Sequence, residues 1–95
     1  MIVDITTTAQ MILERDMKRR TLILQNNSDT DIFLAFGEDK VLTATGATRG
    51  IILVSGGGTL ILDETDANVS AVSSALWAIH GGTGTKELTY DAVVL

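Results

Sequence analysis

The chain has 95 residues and a net charge of −5, and 45% of its residues are apolar. This length accommodates one domain, residues 1–95, and so high an apolar fraction excludes a disordered chain. The negative charge argues against nucleic acid and anionic membranes as partners, and the absence of cysteine excludes disulfides and thiolate zinc sites. Because neither a signal peptide nor an apolar stretch of roughly 18 residues is recognisable, we expect a soluble protein made in a cytoplasm.

The first third of the chain predicts three strands. Residues 2–8 are rich in β-branched side chains, which pack well on a pleated sheet. Residues 9–18 are ambiguous, because four of their apolar side chains also fall at helical spacing. We favour a strand over 10–13 followed by a charged turn, and a short helix over 9–18 stays open. The third strand covers 20–25 and runs into the polar cluster at 26–29, whose short side chains favour a turn.

The middle of the chain predicts a strand over 31–36, a short and uncertain strand at 41–43, and then the clearest pattern. Apolar residues at 50–54 and 59–62 flank three consecutive glycines at 56–58. Glycine supplies the positive φ angles that a tight reversal needs. We therefore predict a hairpin here.

The last third begins with a small and polar stretch, residues 63–74, which predicts a loop. Strands are predicted over 75–79 and 87–95, with a glycine-rich turn at 81–84 between them. The total is about eight short strands at regular spacing. The sequence thus predicts an all-β fold, a small antiparallel β-sandwich or a jelly-roll-like barrel.

Several predicted strands are apolar in both alternating phases, although a sandwich buries only one face of each sheet. The second set of side chains would leave an exposed apolar patch larger than monomers usually carry. We expect a neighbouring subunit or another protein surface to cover part of it, with Ile23, Phe33, Ile52 and Ile61 as the contact set. The alternative is that loops such as 63–74 fold over that face.

The sequence offers no recognisable set of catalytic or metal-binding residues. His80 is the only histidine, so no pair of histidines can bind a metal. The carboxylates of Asp63, Glu64 and Asp66 lack the calcium-loop spacing and indicate a solvated loop. We therefore expect a protein that is not an enzyme and that needs no cofactor and no metal.

One basic cluster stands out from the acidic background. It consists of Arg15, Lys18, Arg19 and Arg20, interleaved with Glu14 and Asp16 and without aromatic neighbours for base stacking. A solvated turn is the simpler interpretation. The functional interpretation is docking onto an acidic surface of a partner protein.

Five segments form an ordered set along the chain: R-T-L-I-L-Q-N-N-S at 20–28, D-I-F-L-A-F-G at 31–37, G-I-I-L at 50–53, G-G-G-T-L-I-L-D at 56–63 and A-L-W-A-I at 75–79. Taken in this order, they resemble small structural proteins of tailed bacteriophages. The resemblance covers roughly residues 20–80 and is more specific as an ordered set than segment by segment. The chain departs from the pattern in having Val54-Ser55 where a proline often precedes the glycines, and Trp77 where tyrosine is usual.

This resemblance implies a virion component, a β-sandwich that decorates or cements the capsid shell, often as a homotrimer, or that lies at the neck or tail. It carries over no functional residues, because such proteins have no active-site motif. The leading hypothesis is a capsid decoration or cement protein whose partner is the major capsid protein or another virion protein. The alternative is a carbohydrate- or receptor-binding module with Trp77, Tyr90 and His80 exposed near loops.

Overall fold

Eight β-strands form the architecture in the computed structural model, which describes residues 1–37, 50–63 and 72–94. The uncertain strand predicted at 41–43 and most of the loop predicted at 63–74 lie outside the described residues. The segment at 9–18 contains a strand, so the favoured interpretation is confirmed and the helix is wrong. The strands are β1 (Ile2–Ile5), β2 (Gln10–Leu13), β3 (Arg19–Asn26), β4 (Ile32–Phe36), β5 (Ile51–Leu53), β6 (Gly58–Asp63), β7 (Leu76–His80) and β8 (Lys86–Val94).

The strands form two antiparallel four-stranded sheets packed face to face. Sheet A has the order β1-β8-β3-β6, and sheet B has the order β2-β7-β4-β5. The first strand pairs with the eighth, the second with the seventh, the third with the sixth and the fourth with the fifth. This is the arrangement of one long hairpin wrapped into a sandwich, which is the jelly-roll topology. The all-β sandwich prediction is confirmed.

The core lies between the two sheets and contains one alternating phase of each strand. In β3, for example, Leu22 and Leu24 are fully buried while Ile23 between them is exposed. Burial of large aliphatic side chains stabilises a fold by about 1.5–3 kcal/mol each, so this phase supplies most of the driving force. The fully buried apolar residues of this core are Ile5, Leu22, Leu24, Ile32, Leu34, Val72, Leu76, Ala78 and Leu88.

The prediction that β5 and β6 form a hairpin is wrong, because the two strands do not pair with each other. The chain reverses at the glycines, where Gly56 and Gly57 have φ angles of 75° and 110°. However, β5 belongs to sheet B and β6 to sheet A, so the turn crosses between the sheets. The turn is held by the loop after β3, because the amide of Gly56 donates to the Ser28 carbonyl and that of Gly57 to the Asn26 carbonyl.

The register places the connections at two opposite ends of the sandwich. The upper end carries residues 27–31, 54–57 and 81–85. The lower end carries residues 14–18 and 72–75. Among the described residues, the upper end is rich in glycine, serine, threonine and asparagine, and the exposed cations of the basic cluster lie at the lower end.

Candidate interaction surface

Among the described residues, three of the eight exposed isoleucine and valine side chains lie on β1 and β8, and the other five lie on one side of the sandwich. Sheets A and B end there in β6 and β5, and each of these strands has a single sheet neighbour among the described residues. Five large aliphatic side chains on or next to these strands are exposed to solvent. We call this surface the β5–β6 side and define it by Ile23, Ile51, Ile52, Val54 and Ile61.

The four residues of the predicted contact set form two cross-strand pairs on opposite faces of the sandwich. Ile23 lies opposite Ile61 on the outer face of sheet A, and Phe33 lies opposite Ile52 on the outer face of sheet B. Three of the four are exposed, whereas Phe33 is buried. Its inclusion was therefore wrong for the free chain, because Phe33 packs with Ile79 and the surrounding apolar side chains.

The outer face of sheet B explains why strands that are apolar in both phases do not all need a partner. Phe33 and Ile79 are buried there against one another, with Ala9, Ala35 and Trp77 packed around them. The chain thus covers the centre of this face itself. Exposure remains at the rims, at Met11 on β2 and at Ile52 on β5.

The β5–β6 side carries no charge along its central segment. From Gly50 to Leu62 the sequence contains no acidic or basic residue. The outer face of sheet A near β1 and β8 differs, because Asp4, Glu87 and Asp91 are exposed there. A protein surface that approaches β5 and β6 therefore meets mainly aliphatic and backbone groups, and the nearest charges on the sheet A face are Asp91 beside Ile23 and Asp63 at the end of β6.

The predicted basic cluster is divided by burial. Arg19 is buried, and its guanidinium donates to three backbone carbonyls, those of Glu14, Val72 and Ser74, at 2.8–3.1 Å. A cation that is enclosed in this way cannot dock onto a partner, so the docking role of Arg19 was wrong. Its role is to hold the loop at 14–18 against residues 72–74.

The remaining cations lie on or beside the same loop. Arg15 and Lys18 are exposed, while Arg20 is half-buried and already has an interaction partner. The loop has a defined shape, since the carboxylate of Asp16 accepts from the Lys18 amide at 2.9 Å and the Asp16 amide donates to the Ser73 carbonyl at 2.9 Å. Two exposed cations therefore project from a fixed backbone.

The residues named for a carbohydrate site do not come together. The indole of Trp77 lies on the outer face of sheet B and donates to the Gly37 carbonyl at 2.8 Å, towards the lower end. Tyr90 is half-buried and packs against the core between the sheets. His80 is fully buried at the upper end. The three side chains cannot form one sugar platform.

A polar groove lies at the upper end and was not predicted from the sequence. Its volume is about 480 Å³, and a salt bridge of 2.8 Å joins Lys86 to Asp29 within it. The pKa of the Asp29 carboxyl is lowered by the hydrogen bond from Lys86, by that from Thr30 and by the charge of Lys86. A lowered pKa means that stability from this pair is present at neutral pH and is lost as the pH falls through that pKa. The lining residues are Ile2, Asn27, Ser28, Asp29, Thr85, Lys86, Glu87 and Thr89.

His80 acts as a structural hydrogen-bonding residue, and its geometry predicts one tautomer. Its Nδ1 accepts from the Gly82 amide at 3.1 Å, and its Nε2 faces the Gly84 carbonyl at 2.7 Å. A nitrogen that accepts must be unprotonated, and one that faces a carbonyl must donate. We expect nitrogen NMR at neutral pH to show Nε2 protonated and Nδ1 unprotonated. Equal averaging of the two nitrogens would contradict this assignment.

In the described ranges, no group of acidic or histidine side chains is arranged to hold a metal ion, and no helix is long and apolar enough to cross a membrane. The carboxylates of Glu64 and Asp66 lie outside those ranges. Comparison of the chain with protein-family models, with curated proteins and with solved structures finds no match.

Proposed function

We propose that this chain is a non-enzymatic structural protein of a bacteriophage virion, a capsid decoration protein that binds the assembled shell. The observation that carries the proposal is the β5–β6 side, where aliphatic residues on the ends of both sheets are exposed and residues 50–62 carry no charge. Such a surface is typical of a protein interface. We expect a neighbouring virion subunit to cover it.

The resemblance to phage structural proteins supports the proposal through its position in the fold. The five resembling segments fall on five consecutive strands, β3 to β7, together with the turns that follow β3 and precede β6. They include the strands that form the β5–β6 side. The jelly-roll topology occurs in capsid domains and also in sugar-binding domains, so the topology alone does not decide between these functions.

The loop at 14–18 supplies a second contact in this proposal. Arg15 and Lys18 project from it, and exposed cations of this kind attract acidic partner surfaces. Each exposed ion pair is worth about 0.2–1 kcal/mol, which is weak for one copy. Attachment of an oligomer at several points makes such contacts collectively strong.

The test uses purified chain and empty expanded shells. We expect a major capsid or portal gene near the coding sequence. Shells assembled from that capsid protein should sediment together with the chain and become more resistant to heat. Electron cryomicroscopy of the decorated shell then shows the contact surface. A chain that stays monomeric by light scattering and does not sediment with these shells would overturn the proposal. Density for the chain at the neck or tail would refute the shell as its binding site and assign it to that part of the virion.

A charge variant tests the basic loop separately. We expect Arg15→Ala with Lys18→Ala to weaken shell binding about tenfold, since two exposed ion pairs are lost. The matched control is Thr7→Glu with Thr8→Glu at exposed positions away from the loop, which changes the net charge equally, from −5 to −7. Equal weakening by both variants would assign the effect to net charge and remove the loop from the interface.

The carbohydrate-binding alternative loses its original residues, because Trp77, Tyr90 and His80 lie apart. The polar groove at the upper end has amide, hydroxyl and carboxylate groups but no aromatic side chain in its lining. Aromatic faces supply much of the contact area in sugar sites. If the chain bound glycans on an array and Thr85→Trp blocked that binding, carbohydrate binding would be favoured over shell decoration.

A further inference from the structure

The two open sides of the sandwich differ in how their backbone edges are protected. On the β1–β2 side, β2 has a bulge between Met11 and Leu13. The Gln10 side-chain amide donates to the Asp4 carbonyl of β1 at 3.2 Å, and the Thr6 carbonyl beyond β1 accepts from the His80 amide at 3.1 Å. Bulges and covering groups of this kind keep sheet edges from pairing with other chains.

The edge formed by β6 has none of these protections among the described residues. Its register with β3 runs without a break over six residue pairs, from Asn26–Gly58 to Thr21–Asp63. No charged residue or proline occurs from Gly58 to Leu62. Thr59 and Ile61 point outward and are exposed, while Leu60 and Leu62 contact the core. β6 ends at the exposed Asp63, and a regular outer strand whose other five residues are uncharged is a template for a further strand.

A second copy of the chain fits this edge for two reasons. First, an antiparallel strand edge is complementary to itself about a twofold axis, so two identical edges can pair along their whole length. Second, the chain has a net charge of −5, and two copies repel least where they meet through an uncharged segment. The acidic side chains of Asp4, Glu87 and Asp91 disfavour contact between copies through the far half of sheet A.

We propose that two copies associate through the outer edges of β6, antiparallel about a twofold axis, so that their A sheets form one eight-stranded sheet. The inference rests on the proposed function only in taking the β5–β6 side as an interface. Near the axis, Ile61 of one copy packs beside the same residue of the other on the outer face. The association is a dimer, where the resemblance implies a trimer.

The test compares three lysine substitutions on the outer face of sheet A by light scattering and analytical ultracentrifugation over a wide range of protein concentrations. Ile61→Lys places a charge on the β6 edge. Val93→Lys is the matched control, because Val93 is 58% exposed, as is Ile61, but lies on β8, away from the β6 edge. Ile2→Lys places the charge on β1, at the opposite edge of the same sheet. Circular dichroism establishes that each variant is folded.

We expect the wild type to dimerise, and Ile61→Lys to raise the dissociation constant by about 100-fold, since the change occurs twice in the dimer. Val93→Lys and Ile2→Lys should dimerise as the wild type does. Hydrogen exchange should show the amides of β6 more protected in the dimer than in the Ile61→Lys monomer. If Ile61→Lys fails to fold, Thr59→Lys replaces it.

Each of three results would overturn this inference: the wild type is monomeric, the dimer persists in both Ile61→Lys and Ile2→Lys, or Ile2→Lys dissociates the dimer. Shell binding separates it from the proposed function. A monomer that binds shells would refute the dimer and keep the decoration role. If the wild type formed a dimer that Ile61→Lys dissociates but did not bind shells, the dimer would stand and the decoration role would be refuted.

Discussion

The Arg19→Ala variant should lose about 3 kcal/mol or more of the free energy of unfolding. Its guanidinium is enclosed and donates to the carbonyls of Glu14, Val72 and Ser74. Removal leaves one buried and two part-buried carbonyls without this donor, and a fully buried group left in this way costs about 1–3 kcal/mol. It also opens space where the arginine stem packed. Because domains are stable by only about 5–15 kcal/mol, the loss is a large fraction of the total.

Urea unfolding followed by tryptophan fluorescence measures this loss, with Trp77 as the single reporter. Arg19→Lys keeps the charge but has no planar fork to reach three carbonyls, so it should recover only part of the stability. Arg15→Ala removes an exposed cation four residues away and should change stability by no more than about 0.5 kcal/mol. Equal stability of the Arg19 and Arg15 variants would refute the structural role of Arg19.

The alternation of side chains was enough to predict most of the fold. Leu22 and Leu24 point to the core with Ile23 between them, and the strand period of two fixes this relation wherever the core is placed. Alternation did not decide the ambiguous segment at 10–13, which is decided by its pairing. There, antiparallel pairing with β7 satisfies the backbone, whereas a helix would leave β7 at the edge of sheet B. The period of two depends only on neighbouring residues within a strand, so the sequence alone reveals which side chains share a face.

The pairing of β5 and β6 could not be predicted in the same way. Two apolar runs joined by glycines look like a hairpin, because local turn chemistry is the only information that a short segment carries. In the fold each run pairs elsewhere, β5 with β4 and β6 with β3. Those partners are chosen by burial summed over the whole domain, which overrides the local preference.

The candidate surface was predicted in part for a related reason. An exposed aliphatic residue and a buried one look alike in a strand that is apolar in both phases, so Phe33 and Ile52 were indistinguishable. The structure separates them by strand position, since Phe33 lies on the inner strand β4 and Ile52 on the outer strand β5. Arg19 could not be separated from Arg15, because its three acceptors include carbonyls from residues 72–74, far along the chain.

The Asn26→Asp variant should lose about 3–5 kcal/mol at neutral pH, because a buried charge without a partner costs this much. Asn26 is fully buried at the upper end, and its amide nitrogen donates to the carbonyls of Thr30 and Leu53 at 2.9 and 2.8 Å. Its oxygen accepts from the amide and the hydroxyl of Ser28 at 3.0 and 2.6 Å. The substitution replaces two donors with a carboxylate oxygen that faces two carbonyl oxygens.

The dependence of this loss on pH identifies its cause. A protonated carboxyl can donate to one of the two carbonyls, so the neutral form is favoured in the fold and the pKa of the introduced carboxyl should rise above the usual aspartate value of about 3.9. A raised pKa gives stability that is present below the unfolded value and is lost as the pH increases through the folded value. The variant should therefore be less impaired in mild acid than at neutral pH.

The matched control is Asn27→Asp, which makes the same change of charge at an exposed neighbour and should cost no more than about 0.5 kcal/mol at either pH. Urea unfolding of both variants at neutral pH and in mild acid gives the comparison. If the two variants unfolded at the same urea concentration, the four hydrogen bonds of Asn26 could not be what joins the loop after β3 to the end of β5.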